Sequence, residues 1–385
     1  MELAITSDFP GGNGKVLGTR PIPEGWEIEF LAESKKLEPM PLWFHLAAVC
    51  PGAARLRFLL MNAQQCLGNM EDWVRNAPVY RADGGEWRRC TRVLVESGEG
   101  HAPVAVFEVP AEGRRTELAF CYPYQKENLA ALLRENPSWT PATIGYSSNG
   151  RPLVRYATET TLSKPGVYMI ARQHSGETSA GWVLDGLMRR VSREQAPHLR
   201  ETLQWWAVPF ADPDGVEEGC YGKDHYPHDL NRAWSSPSPR VEVKALQTDL
   251  MHWKQRSAPF AIVDFHSPSH HERGFYLYVP REPEACRRRA ERFAEAFYES
   301  VPPRLRGSEM SRVSSQFKTS TQEGLKLAEY AVQRFQEHPI LMLTPEISYQ
   351  GAAEAYTIED YRLLGETLAE ALYRFYMQEK DQTGS

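Results

Sequence analysis

From Gln125 onward the chain alternates short apolar runs with segments of helical period, and this alternation limits its fold more than any other feature. GVYMIARQ, the Trp205 to Phe210 run, PFAIVDFH and PILMLTPE read as buried strands. Between them lie helical patterns. Gln125 to Glu135 is a connecting helix ended by Asn136-Pro137. Val183, Leu184, Leu187, Met188 and Val191 recur on one helix face. Glu242 to Arg256, Cys286 to Ser300, Gln322 to Glu337 and Ile358 to Lys380 continue the series. Strands that read as continuous apolar runs, separated by helices, imply an α/β fold: a mixed, mainly parallel sheet flanked by helices.

The grain before Gln125 is different. GWEIEFLAE, PLWFHLAAV, ARLRFLLMN, HAPVAVFEVP and TELAFCYPY are short and rich in β-branched or aromatic residues, with turn-prone stretches such as PGG, CPGA and ESGEG between them. In YRADGGEWRRC, Asp83-Gly84-Gly85 reads as a hairpin turn between two strand arms. Short strands at this spacing predict an antiparallel β-sandwich over residues 1–124, ahead of a catalytic domain over residues 125–385.

Bulk properties exclude several classes. Lys+Arg number 44 against 50 Asp+Glu, for a net charge of −6, and no long basic block occurs. That gives no support to a nucleic-acid or anionic-membrane partner. Arg287, Arg288 and Arg289 fall in a helical pattern with Glu291 and Glu295 and read as a solvated face. No run approaches the roughly 20 apolar residues that span a bilayer. The amino-terminal MELAITSDFPGGNGK has neither the basic start nor the apolar stretch of a secretory signal. Cys50, Cys66, Cys90, Cys121, Cys220 and Cys286 are scattered without a CxxC pair, so free buried thiols and cytoplasmic residence are expected.

Three strands run into residues that carry chemistry. VYMIARQ leads to His174-Ser175-Gly176-Glu177, FAIVDF to His266-Ser267, and ILMLTP to Glu346. Ligands of open α/β sheets bind outside the carboxyl ends of the strands, so these termini should share one edge. Two imidazoles and two carboxylates there make a metal site with a base. His174 and Glu177, one turn apart, can point to one side, and His266 would complete a two-His, one-Glu set with a fourth position open to water. The other candidate histidines are His225, His228, His252, His270, His271 and His338, of which His270 and His271 follow His266 in a loop.

At these residues the chain resembles the M14 zinc carboxypeptidases, and looks most like their cytosolic carboxypeptidase-like branch. ARQHSGETSAGW resembles the first-ligand motif. PFADPDGVEEG resembles an Asn-Pro-Asp-Gly-Val stretch, with Asp212 for Asn. DLNRAW, DFHS and TPEIS resemble the Asn-Arg-x-Trp, third-ligand and catalytic-Glu motifs. The motifs run in order from Tyr168 to Tyr349, and an amino-terminal β-sandwich is typical of that branch. The resemblance implies one zinc held by His174, Glu177 and His266, with Glu346 assisting attack of zinc-bound water and passing its proton to the leaving amine. It implies that Asn231 and Arg232 grip a substrate α-carboxylate, which suits the planar fork of Arg. It also implies that Asp229 accepts a hydrogen bond from the far nitrogen of His174.

The sequence departs from the family in places. Where an Arg aimed at the scissile carbonyl is usual, alignment from Gly219 gives Gly222, with Lys223 beside it as a substitute point charge. The substrate-covering Tyr of secreted members has no counterpart; Tyr330 is unassigned. The leading expectation is removal of a carboxy-terminal amino acid from a peptide or protein tail. Its rivals are a zinc amidohydrolase acting on a non-peptide amide or cell-wall peptide fragment, and a binding protein with a vestigial zinc site.

Overall fold

The computed structural model describes residues 3–37, 40–50, 52, 55–97, 102–158, 164–223, 228–268, 270–313, 324–337 and 339–383. Two compact units emerge. The first comprises Met1–Gln125 with Gly215–Tyr226 and Ser269–His271; the second comprises Lys126–Asp214, Pro227–Pro268 and Glu272–Ser385.

The first unit holds two five-stranded sheets. One orders Ala4–Thr6, His45–Val49, Arg115–Ala119, Val79–Ala82 and Arg88–Arg89, with every pair antiparallel. The Asp83 turn is the expected hairpin. Asp83 and Gly84 adopt left-handed φ of 46° and 74°, which Asp and Gly tolerate best. The other sheet orders Lys15–Ile22, Gly25–Leu31, Arg55–Leu60, Val104–Pro110 and Arg92–Glu96. Here one pair departs from the antiparallel expectation: Gly25–Leu31 runs parallel to Arg55–Leu60. Phe30, Phe44, Trp73, Phe107 and Phe120 pack ring against ring in the core of this unit.

The second unit is built on an eight-stranded sheet. Its order is Thr140–Tyr146, Pro152–Ala157, Gln204–Val208, Pro165–Ala171, Ala258–Phe265, Leu341–Ile347, Phe275–Val279 and Ser311–Val313. The four strands from Gln204–Val208 to Leu341–Ile347 are mutually parallel and the flanking ones mix direction. This is the mainly parallel sheet that the apolar runs imply. The Thr140–Tyr146 and Pro152–Ala157 hairpin was not legible, because Pro141, Gly145 and Pro152 argue against a strand. Its place at the sheet edge tolerates them.

Helices Thr178–Ser192, Val241–Arg256, Glu284–Ser300, Leu327–Arg334 and Ile358–Thr383 flank the sheet. The first and last of these touch backbone to backbone. A Cβ on Gly186 would lie 2.1 Å from Arg362 O, and one on Gly365 would lie 1.9 Å from Val183 O. Only glycine permits that approach. It fixes the helix that starts just after Glu177. Of the expected helix over Gln322 to Glu337, the described residues form Leu327–Arg334, and the Glu329 carboxylate accepts the Lys326 N–H at its start; Gln322 and Glu323 lie outside the described residues. The Arg287–Arg289 face is solvated only in part. Arg288 is exposed, but Arg289 is 16% exposed and is clamped by Glu379 of the last helix. All six cysteines are buried thiols outside any disulfide, as expected. No helix among the described residues is long and apolar enough to cross a membrane.

Candidate functional site

The site is built where the parallel strands end, within the second unit. Pro165–Ala171 finishes at Arg172, which adopts a left-handed φ of 61°. Its buried Nε donates to Ser175 O at 2.7 Å, across the turn that Arg172 opens. This ties down the loop carrying His174. Glu177 N then donates to His174 O at 3.1 Å, and the helix begins at Thr178. Glu177 occupies the N-cap position but makes no side-chain cap. Its carboxylate turns inward and accepts from Ser267 N at 3.0 Å.

His266 follows the Ala258–Phe265 strand and is bridged in parallel to Glu346. His266 N donates to Pro345 O at 2.9 Å, and Ile347 N donates to His266 O at 3.0 Å. The backbone therefore seats the imidazole beside the glutamate. Glu346 is half-buried, whereas His174, Glu177 and His266 are buried at 6%, 0% and 2% exposure.

The three buried side chains converge on one point. His174 Nδ1 and His266 Nδ1 are 3.2 Å apart, and each lies 2.9 Å from a Glu177 oxygen. Two ligands about 2.0–2.1 Å from a tetrahedral ion stand about 3.3 Å apart, so these separations match a metal's ligand shell. The outer nitrogens are held by carboxylates. His174 Nε2 lies 3.0 Å from Asp229 Oδ1 and His266 Nε2 lies 3.1 Å from Asp264 Oδ2. Those contacts favour a proton on each Nε2 and aim the Nδ1 lone pairs inward. Facing lone pairs and a buried carboxylate without a shared cation would repel one another. The donor set fits a divalent ion of borderline softness, and zinc in particular.

The electrostatics agree. Burial opposes a charge on His174, yet the carboxylates of Glu177 and Asp229 hold it above its ordinary value. His266 is held well above its ordinary value against the same penalty, by Asp264 and Glu177. Asp229 is buried, but His174 and Arg232 bring it far below the usual carboxylate range. The centre is poor in positive charge, which a bound cation supplies.

Asp229, Asn231 and Arg232 sit on one short turn beside this centre. Asp229 Oδ1 accepts from Asn231 N at 2.7 Å. Asn231 Oδ1 accepts from Leu327 N at 3.0 Å, while its Nδ2 stands 3.0 Å from His266 Nε2, whose proton is directed to Asp264. Arg232 donates from one terminal nitrogen to Asn231 O at 2.9 Å. Its Nε is buried and finds no acceptor among the described residues.

Several residues of the site escaped the sequence reading. Asp264 stands two before His266, so strand alternation puts both on one face, a signal that was available. Gln173 donates to Asp264 Oδ1 at 2.7 Å and accepts from Trp234 Nε1 at 2.8 Å. Tyr276 is the cross-strand partner of Glu346. Burial and the Glu346 charge push its hydroxyl above the ordinary tyrosine value. Lys326 is depressed by burial and by Arg232, and also feels Glu346 and Asp229. Lys223 belongs to the first unit, where its ammonium lies 5.5 Å from the Tyr221 ring centroid. Tyr330 is buried against Trp234 in the core. His225 and His338 lie outside the described residues.

A mixed α/β sheet with a buried two-imidazole, one-carboxylate centre at the carboxyl ends of its strands defines a candidate metalloenzyme. The family model described as zinc carboxypeptidase, peptidase M14, matches residues 126–361, and the chain belongs to that family. Human cytosolic carboxypeptidase 1 is 35% identical over 114 residues, which are 28% of this chain and 9% of the human protein. The chain thus aligns with under a tenth of that relative's length. An uncharacterized protein of Zymomonas mobilis is 26% identical over 69% of this chain and 68% of its own. A metallo-carboxypeptidase from Burkholderia cenocepacia has the same fold, with a TM-score of 0.80 at 22% identity over 98% of this chain and 100% of its own. One from Pseudomonas aeruginosa has a TM-score of 0.72 at 22% identity, over 96% and 98%.

Proposed function

We propose that the chain is a zinc-dependent carboxypeptidase that releases the carboxy-terminal amino acid of a peptide or protein tail. His174, Glu177 and His266 hold the zinc and Glu346 is the general base. The observation that carries the exopeptidase part is the partly exposed Arg232 guanidinium, held beside the metal centre on the same short turn as Asp229. A substrate α-carboxylate beside the metal centre would meet this guanidinium in the paired geometry that it favours.

Zinc bound at these ligands supplies Lewis acidity toward a carbonyl oxygen and a water. The chain's own groups do the rest. Arg232 anchors the free carboxylate and so sets the last peptide bond over the centre. Glu346, held in register by the His266 bridge, takes a proton from the attacking water and delivers it to the amide nitrogen as the C–N bond breaks. Asp229 and Asp264 keep the two imidazoles oriented. Lys223, in the first unit, remains a proposed electrophilic group on the strength of its motif position alone. We place the protein in the cytoplasm because its six cysteines are thiols outside any disulfide and its relatives are named cytosolic.

A second reading is a zinc amidohydrolase acting on a non-peptide amide or cell-wall fragment, favoured by the departure at Gly222-Lys223, where the family usually has an Arg. A peptide panel with free carboxyl termini, matched to carboxy-amidated controls, separates the two. The proposal expects release of the terminal amino acid from free-carboxylate peptides only, abolished by a zinc chelator. Equal turnover of the amidated controls transfers the assignment to the amidohydrolase.

A further inference from the structure

A second cluster of ligand-type side chains lies in the first unit, among residues unused by the proposed reaction. Asp72, in the short turn Glu71–Arg75, meets His270 and His271, and one ligand atom from each lies within 4.8 Å of the others. We propose that Asp72, His270 and His271 form a second site for a divalent transition-metal ion, of which zinc is the representative, separate from the centre at His174, Glu177 and His266.

Three observations carry it. His270 Nε2 stands 3.0 Å from Asp72 Oδ2, close to the edge of about 3.3 Å expected between two ligands of a tetrahedral zinc. The carboxylate is fixed in advance: Asn69 Nδ2 donates to Asp72 Oδ2 at 2.7 Å while Asn69 Oδ1 accepts from Asp72 N at 2.9 Å. Metal-binding carboxylates are typically hydrogen-bonded by outer partners in this way. The two histidine rings are not stacked flat but edge to face, 5.2 Å between centroids and 87° between planes. Neighbouring residues on a turn can then present both imidazoles to one ion.

The donor set chooses the ligand class. Two imidazoles and one carboxylate suit zinc and its transition-metal neighbours, whereas calcium and magnesium want oxygen. His270 is buried while His271 is exposed, so the ion would keep water on its outer side. Lys223 acts on His270 from within the same unit and adds a like charge near the ion. The site is therefore weaker than the buried centre. Bound metal would join the Glu71–Arg75 turn to the residues that follow His266 and Ser267 in the chain, a structural rather than catalytic task.

Zinc titration of the metal-free full chain, read by calorimetry and by metal content after gel filtration, decides it. Wild type should take up about two zinc ions per chain, the second more weakly. His271→Ala and Asp72→Asn should each lose one equivalent and keep peptidase activity, and His266→Ala should lose the other. Because His271 is exposed, its truncation tests the site without disturbing the core. Uptake of a single zinc, lost in His266→Ala and indifferent to His271→Ala, overturns the second site while leaving the carboxypeptidase reading intact. Uptake of two ions by both His271→Ala and Asp72→Asn overturns it as well.

Discussion

Gln173 donates its side-chain amide to Asp264 across 2.7 Å, and so the residue next to one histidine of the centre steadies the carboxylate behind the other. Trp234 holds the opposite end of the same amide. The chain Trp234, Gln173, Asp264, His266 is buried throughout. Partners of this kind typically affect metal affinity by about 10–100-fold. Gln173→Leu should weaken zinc binding at the buried centre by about that factor, with the fold intact by circular dichroism. An unchanged zinc affinity would mean that the network is only packing.

Glu346 is positioned by the backbone bridge with His266. Glu346→Gln preserves shape and removes the base. Zinc content and substrate KM should stay near wild type while kcat falls by roughly 10²–10⁴-fold. Full activity in this variant would assign the proton transfer to another group.

Much of this centre could be read in the sequence because each member stands next to a strand. His174, His266 and Glu346 are placed by where three apolar runs stop, and Glu177 by its turn spacing from His174. Residues positioned by long-range register were not legible. Tyr276 reaches Glu346 through antiparallel pairing of two strands, and nothing local marks that register. Lys326 enters the site because Asn231 captures the N–H of Leu327, a contact across 96 residues. The parallel pairing of Gly25–Leu31 with Arg55–Leu60 is likewise a non-local choice. Alternation predicts which face of a strand is buried, not which neighbour it takes.

The first unit carries a pH dependence of its own. Glu117 is buried, which opposes ionisation, but hydrogen bonds from His45 and Arg81 outweigh this and bring its carboxyl from 4.5 down to about 2. Arg115 also faces it, with Nε at 3.4 Å. Burial pushes His45 below its ordinary value, against the pull of Glu117. A carboxyl whose folded value is depressed stabilises the fold above its unfolded value and loses that contribution as pH falls through the folded one. Glu117→Gln should therefore lower the melting temperature at pH 7, and the gap from wild type should shrink as pH drops from 4.5 toward 2. A gap of constant size over that range would remove the ion pair from the account.

The exopeptidase claim rests on Arg232, and kcat/KM of Arg232→Ala on a free-carboxylate peptide tests it most directly. Truncating one partner of a desolvated charge pair costs roughly 2–5 kcal/mol, which is a fall of about 30- to several thousand-fold. Arg232→Lys should recover part of the loss, since an ammonium cannot make two parallel hydrogen bonds to a carboxylate. Any residual turnover of the carboxy-amidated peptide should be nearly the same in wild type and Arg232→Ala. Equal losses on both peptides would contradict the account, leaving Arg232 a structural residue and the protein a metal-dependent hydrolase without a chain-end requirement.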